Sequence, residues 1–127
     1  MDYFVVFLAA GAAWLFGAVW SMVMARPWMA ASGLGEADME RKNPLPFLLS
    51  FVFLAVIAGA MRHIFILAGT ETALGGFWMG LELGLFLVMP WLVTNYMFAK
   101  RPINLALLDG INAAGGCTII GVVLTVF

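Results

Sequence analysis

The chain has 127 residues, 65% of them hydrophobic and 10% charged, with a mean hydropathy of +1.06. Such a chain has too little polar surface for a water-soluble domain, and its length holds about four spanning helices of ~20 residues with short connections. There is no room for a separate soluble catalytic domain, and a net charge of -1 without a basic stripe excludes nucleic acid as a partner.

The fold class that follows is all-α: a single domain, 1–127, forming an antiparallel bundle of four transmembrane helices. Apolar runs this long lack strand alternation, and open sheet edges cannot sit in lipid. The first run covers 3–24. Met1-Asp2-Tyr3 places no basic stretch ahead of it, so a retained helix is expected rather than a cleaved leader. The connection 26–44 is the longest. Within it Trp28 suits an interfacial anchor, because an indole buries its ring and keeps its N–H wet. Its second half, Glu36-Ala37-Asp38-Met39-Glu40-Arg41-Lys42, reads as a short surface helix with acids in the first turn and bases in the last, as the helix dipole favours.

The second run covers 46–67 and the third 76–98, and each contains a charge, Arg62 and Glu82. Both lie roughly 24 Å from the end of their helix that meets a basic loop, at 1.5 Å per residue. An ionisable group at bilayer depth costs about 2.5–3.5 kcal/mol on insertion scales, and the short connection 68–75 would let the two helices pair as neighbours. Arg62 and Glu82 then read as a structural ion pair that sets helix register, as an Arg62 that snorkels to the outer interface while Glu82 bonds nearby water, or as a proton- or ion-handling site or ligand clamp such as a transporter would use. His63 points about 100° away from Arg62 around the helix. As the only histidine, it supplies no bis-histidine haem or multi-ligand metal set, so no cofactor and no metal are expected.

Further along the third run, Gly76, Gly80 and Gly84 recur every four residues, a spacing that lets helix backbones approach closely. Matching small rows are Ala9, Ala13, Gly17 and Ser21 in the first run and Ala113, Cys117 and Gly121 in the fourth. The seam serves bundle packing or a homo-oligomer contact. Glu82 lies about 200° from Gly80, so the third helix is expected to be contacted on two sides and to stand centrally. Pro90 removes a backbone hydrogen bond and predicts a kink.

The fourth run covers 104–127. Asp109 and Asn112 share a face at i,i+3 spacing, with Asp109 about 8 Å inside the basic edge. Together with Thr94 and Asn95 they form a second polar group: an interfacial salt bridge to Arg26 or Arg101, a hydrogen-bonded helix clamp, or a small polar cavity. No catalytic residue is expected. Ser21 and Ser50 have no acid or histidine placed to activate them, and Cys117, the lone cysteine, sits in an apolar helix where a thiol is inert. Arg26, Arg41, Lys42, Lys100 and Arg101 fall on one side of the array and no basic loop residue on the other, so both termini are expected on the non-cytoplasmic side.

Taken in order, Gly17-Ala18-Val19-Trp20, Trp28-Met29, Asn43-Pro44, Asn95-Tyr96-Met97-Phe98, Arg101-Pro102 and Asp109 resemble a bacterial integral membrane protein family known as domain of unknown function 1761. The likeness runs over essentially the whole chain. It implies a four-helix membrane protein, carries no activity to transfer, and directs attention to Trp20, Asn95, Arg101, Asp109 and Asn112 on the cytoplasmic side. Two departures stand out. The family's Tyr-Ser-Pro-like stretch after the first tryptophan is replaced by Ser21-Met22, with a shorter gap to Trp28. A histidine that often follows the aspartate gives way to Gly110-Ile111-Asn112-Ala113.

The expected function is that of a non-enzymatic accessory or self-associating subunit, multi-pass in the bacterial cytoplasmic (inner) membrane. Its partners would be the lipid bilayer and a second copy or another membrane protein. The alternative is a small transporter or channel using Arg62 and Glu82 or Asp109. A third reading, a lipid-binding or lipid-modifying protein, requires a lipid-sized cavity beside Asp109.

Overall fold

A computed structural model describes residues 3–33 and 44–127, which form five helices and no strand. They are α1 (Tyr3–Val23), α2 (Ala25–Ser32), α3 (Leu45–Ala68), α4 (Ala73–Phe98) and α5 (Ile103–Val126). All but α2 are long and apolar enough to cross a membrane, and the chain is an all-α, multi-pass membrane protein. Four antiparallel spans bring Tyr3 and Phe127 to one end of the bundle, here the terminal end. Arg26, Lys100 and Arg101 lie at the other, the basic end.

Local chemistry sets the helix ends. Proline in the first turn of α3 loses no intrahelical hydrogen bond, and Gly69, at φ 71°, closes the helix in the left-handed conformation that glycine adopts without strain. α4 starts three residues earlier than its apolar run, because the Thr72 side chain accepts the Gly75 N–H at 3.0 Å and caps it. α2 replaces the plain loop expected there: Pro27 sits in its first turn and Gly33, at φ 76°, ends it. The helix expected over 36–42 lies outside the described residues.

The irregularity expected at Pro90 takes a particular form. Residues Gly84–Val88 are π-helical, and the Met89 N–H reaches back to the Gly84 carbonyl. A proline ring collides with the carbonyl four residues before it, and the wider turn just ahead of Pro90 relieves that crowding. The Pro90 carbonyl accepts a hydrogen bond from Thr94 Oγ1 at 2.9 Å.

Packing departs from the expected arrangement. α5, not the third span, is the central helix: it touches α1, α2, α3 and α4 and is buried over the largest share of its length. α3 packs chiefly on α1, and α4 lies along α5. The connection 69–72 joins α3 and α4 without making them packed neighbours. The reason is the glycine row. A Cβ at Gly76 would stand 2.3 Å from the Gly121 carbonyl oxygen, one at Gly80 2.4 Å from that of Cys117, and one at Gly84 2.6 Å from Ala114 Cα. Lipid tails are as apolar as the helices, so this close packing, not escape from water, is what selects the neighbour.

The hydrophobic core occupies the terminal half. It joins Val5, Val6, Ala9, Ala10 and Ala13 of α1 to Ala58, Met61 and Phe65 of α3 and to Cys117, Ile120 and Leu124 of α5. The seam predicts a sharp contrast between two glycines. Gly80→Ala drives a methyl group against the Cys117 carbonyl and is expected to cost about 1–3 kcal/mol. Gly59→Ala, whose nearest neighbour would be 4.0 Å away, should be neutral or stabilising by up to ~1 kcal/mol. Unfolding by SDS titration in mixed micelles measures both, and equal effects would contradict the seam.

Candidate functional site

At the basic end, three elements converge on one carboxylate. The Trp28 indole N–H of α2 donates to Asp109 Oδ1 at 3.2 Å, and the Tyr96 hydroxyl of α4 donates to Oδ2. Both oxygens of the α5 carboxylate are thus engaged by half-buried aromatic side chains. Hydrogen bonds to an ionised group are about twice as strong as neutral ones, so this clamp ties α2 and α4 to α5. The chain after α4 is fixed by the same region: the Arg101 N–H donates to the Tyr96 carbonyl at 2.9 Å, with Lys100 at φ 59° making the turn.

One turn farther along α5 lies an apolar groove of about 650 Å³, bounded by α1, α3 and α5 and touched by Val88 of α4. Small residues hollow it out: Ala13, Gly17, Ala18, Ala113 and Gly116, with Phe47 and Phe53 on the α3 side. Trp14 belongs to its wall, its ring tilted by 33° against that of Phe47 at 4.4 Å between centroids. The Trp14 N–H donates to the Phe47 carbonyl at 2.9 Å and to Ser50 Oγ at 3.1 Å. The Asn112 carboxamide faces the same space near Gly17, whose ideal Cβ would lie 3.8 Å from Asn112 Oδ1. The groove runs on from the core and shares Ala13, Cys117 and Ile120 with it.

The residues singled out in the sequence are distributed as follows. Asp109 and Asn112 flank the junction of clamp and groove. Trp20 stands apart, stacked on Phe16 at 6.1 Å, while Asn95 and Arg101 are exposed. Asp109 has Trp28 and Tyr96 as hydrogen-bond partners. The signal for them was present: both fall within the motifs that carry the family likeness, and both combine a hydrogen-bonding tip with an apolar ring.

The structure does not bring Arg62 and Glu82 together. The Arg62 guanidinium lies over the Tyr3 ring, 4.6 Å from its centroid, a cation–π contact within the α1–α3 pair. Glu82 is exposed on α4, on the side away from the glycine row, and His63 is exposed on α3. Among the described residues no three His, Cys, Asp or Glu side chains are grouped as a metal site.

A double-mutant cycle tests the clamp. Tyr96→Phe and Asp109→Asn each remove the same charge-assisted hydrogen bond, so their coupling energy is expected at about 1.5–3 kcal/mol. Additive losses in micelle unfolding would show that the two side chains do not act together.

No curated protein and no solved structure matches this chain. One family model, described as a protein of unknown function (DUF1761), matches residues 4–125, a span that takes in the clamp, the groove and all four long helices. The chain belongs to that family.

Proposed function

We propose that the protein is a non-enzymatic membrane subunit that holds the apolar chain of a bilayer amphiphile in the groove between α1, α3 and α5. The groove is the observation that carries this reading. Its volume of about 650 Å³ lies within the range of roughly 300–1,000 Å³ usual for small-molecule sites. The space beside membrane helices is filled by lipid tails, and a tail that enters the groove exchanges mobile neighbours for fixed walls on several sides. The gain is dispersion contact, small for each atom and large in sum.

Polar groups give the occupant a direction. Ser21 and Asn112 lie toward the basic end of the groove, where a carboxamide N–H suits an ester or headgroup oxygen. Trp28 and Tyr96 each donate to one oxygen of Asp109, a position suited to holding α2 and α4 on α5. In the same reading the basic end faces the cytoplasm of a bacterial cell and the groove opens to the inner leaflet. The placement of Arg26, Lys100 and Arg101 supports that orientation.

Native mass spectrometry of the protein released from membranes tests the proposal. The parent chain is expected to retain lipid. Gly17→Leu, which points new volume into the groove, is expected to lower retention about tenfold, equivalent to ~1.4 kcal/mol, with helicity and unfolding unchanged. Retention unaffected by filling the groove, or no retained lipid at all, would refute it.

A further inference from the structure

We infer that Glu82 and His63 are the two halves of a contact between copies of this chain, in which α4 of one copy docks on α3 of the next. The inference is independent of the groove.

The bundle leaves one ionisable side chain uncovered on each of two helices. α4 is committed to α5 through Gly76, Gly80 and Gly84, which turns the row Leu74, Trp78, Glu82 and Phe86 outward, and all four are exposed. α3 is committed chiefly to α1, which turns Val56, Ala60, His63 and Leu67 outward, again all exposed. Each outward row is therefore apolar except for a single ionisable side chain. At 1.5 Å per residue, His63 lies roughly 27 Å from the basic end of α3, and Glu82 roughly 24 Å from that of α4.

A carboxylate facing hydrocarbon is costly, and such residues in spans characteristically find a protein partner. The two rows complement one another in chemistry: Glu82 offers an acceptor and His63 an imidazole N–H donor at matching depth. Arg62, the other basic side chain at this level, is directed into its own chain over Tyr3, and His63 is the one presented outward. Shape agrees with charge. Ala60, one turn before His63, lets a neighbouring helix come close, and Trp78, one turn before Glu82, supplies bulk to cover it.

Because the rows lie on different helices, the contact is heterologous, and repetition in the plane of the membrane closes into a ring when the rotation permits. The occupant of the α4 face is thus a second copy of this chain, seated by its α3.

Disulfide trapping in native membranes tests this. Chains carrying Glu82→Cys, coexpressed with chains carrying His63→Cys, are expected to cross-link to each other, and a chain carrying both substitutions should give a ladder ending at a fixed size. Glu82→Gln is expected to raise the concentration at which the assembly dissociates roughly tenfold. The exchange Glu82→His with His63→Glu should restore it, which separates a lost contact from a misfolded chain. The inference is overturned by absence of the mixed cross-link, by cross-linking only between two Glu82→Cys chains, or by capture of a different protein on the Glu82 face. An exchange variant that folds but stays dissociated also overturns it.

Discussion

The structure depends first on the contact between the backbones of α4 and α5. At Gly76, Gly80 and Gly84 the α5 main chain occupies the place where a side chain would begin, so no other residue type fits there without moving a helix. That contact decides three things together. It makes α5 the central helix, it releases α3 to pack on α1, and it fixes the rotation of α4 in its terminal half, with Glu82 turned to the outside. In a bilayer, where burial of apolar surface gives no preference between lipid and protein, a steric fit of this kind is the main source of specificity.

The groove is the counterpart of that seam. Along α4 and α5, small residues let helices close together. Along α1 and α5 at the basic end, Gly17, Ala18, Ala113 and Gly116 line a hollow that α3 does not close. The same residue types thus yield a tight joint in one place and a hollow in another. The difference lies in where α3 goes: Met61 and Phe65 draw its terminal half into the core, while in its basic half the Trp14 and Phe47 rings meet between α1 and α3.

Much of the architecture was legible in the residues alone. The four spans, their antiparallel order and the role of the glycine row in close packing follow from length, hydropathy and spacing. The opposition of Gly80 and Glu82 also follows, because both precede the π-helical segment and obey one helical period. Neighbour relations were not legible: a short connection between two spans puts their ends together and does not say along which helix each will lie. α2 was hidden by its length, since Ala25–Ser32 is too short to show a period, although Pro27 and Gly33 mark its ends. Asp109 was visible as a charge near a helix end, but its partners come from two other elements whose orientation no local pattern reveals.

The π-helical segment explains why Tyr96 in particular escaped a reading by period. A π turn takes up one residue more than an α turn, so every side chain beyond Val88 is displaced by about 100° around the axis. Counted along an unbroken helix, Tyr96 would stand about 120° from the Gly84 face; with one residue absorbed, it stands about 20° from it, toward α5 and Asp109. Met89 follows the same rule, its side chain meeting Gly110. α4 is in effect two helices in different phase, one cut to glycine and the other to methionine and tyrosine, both addressed to α5. The residue count between Gly84 and Tyr96, and not only the identities of the residues there, therefore carries the information that closes the clamp.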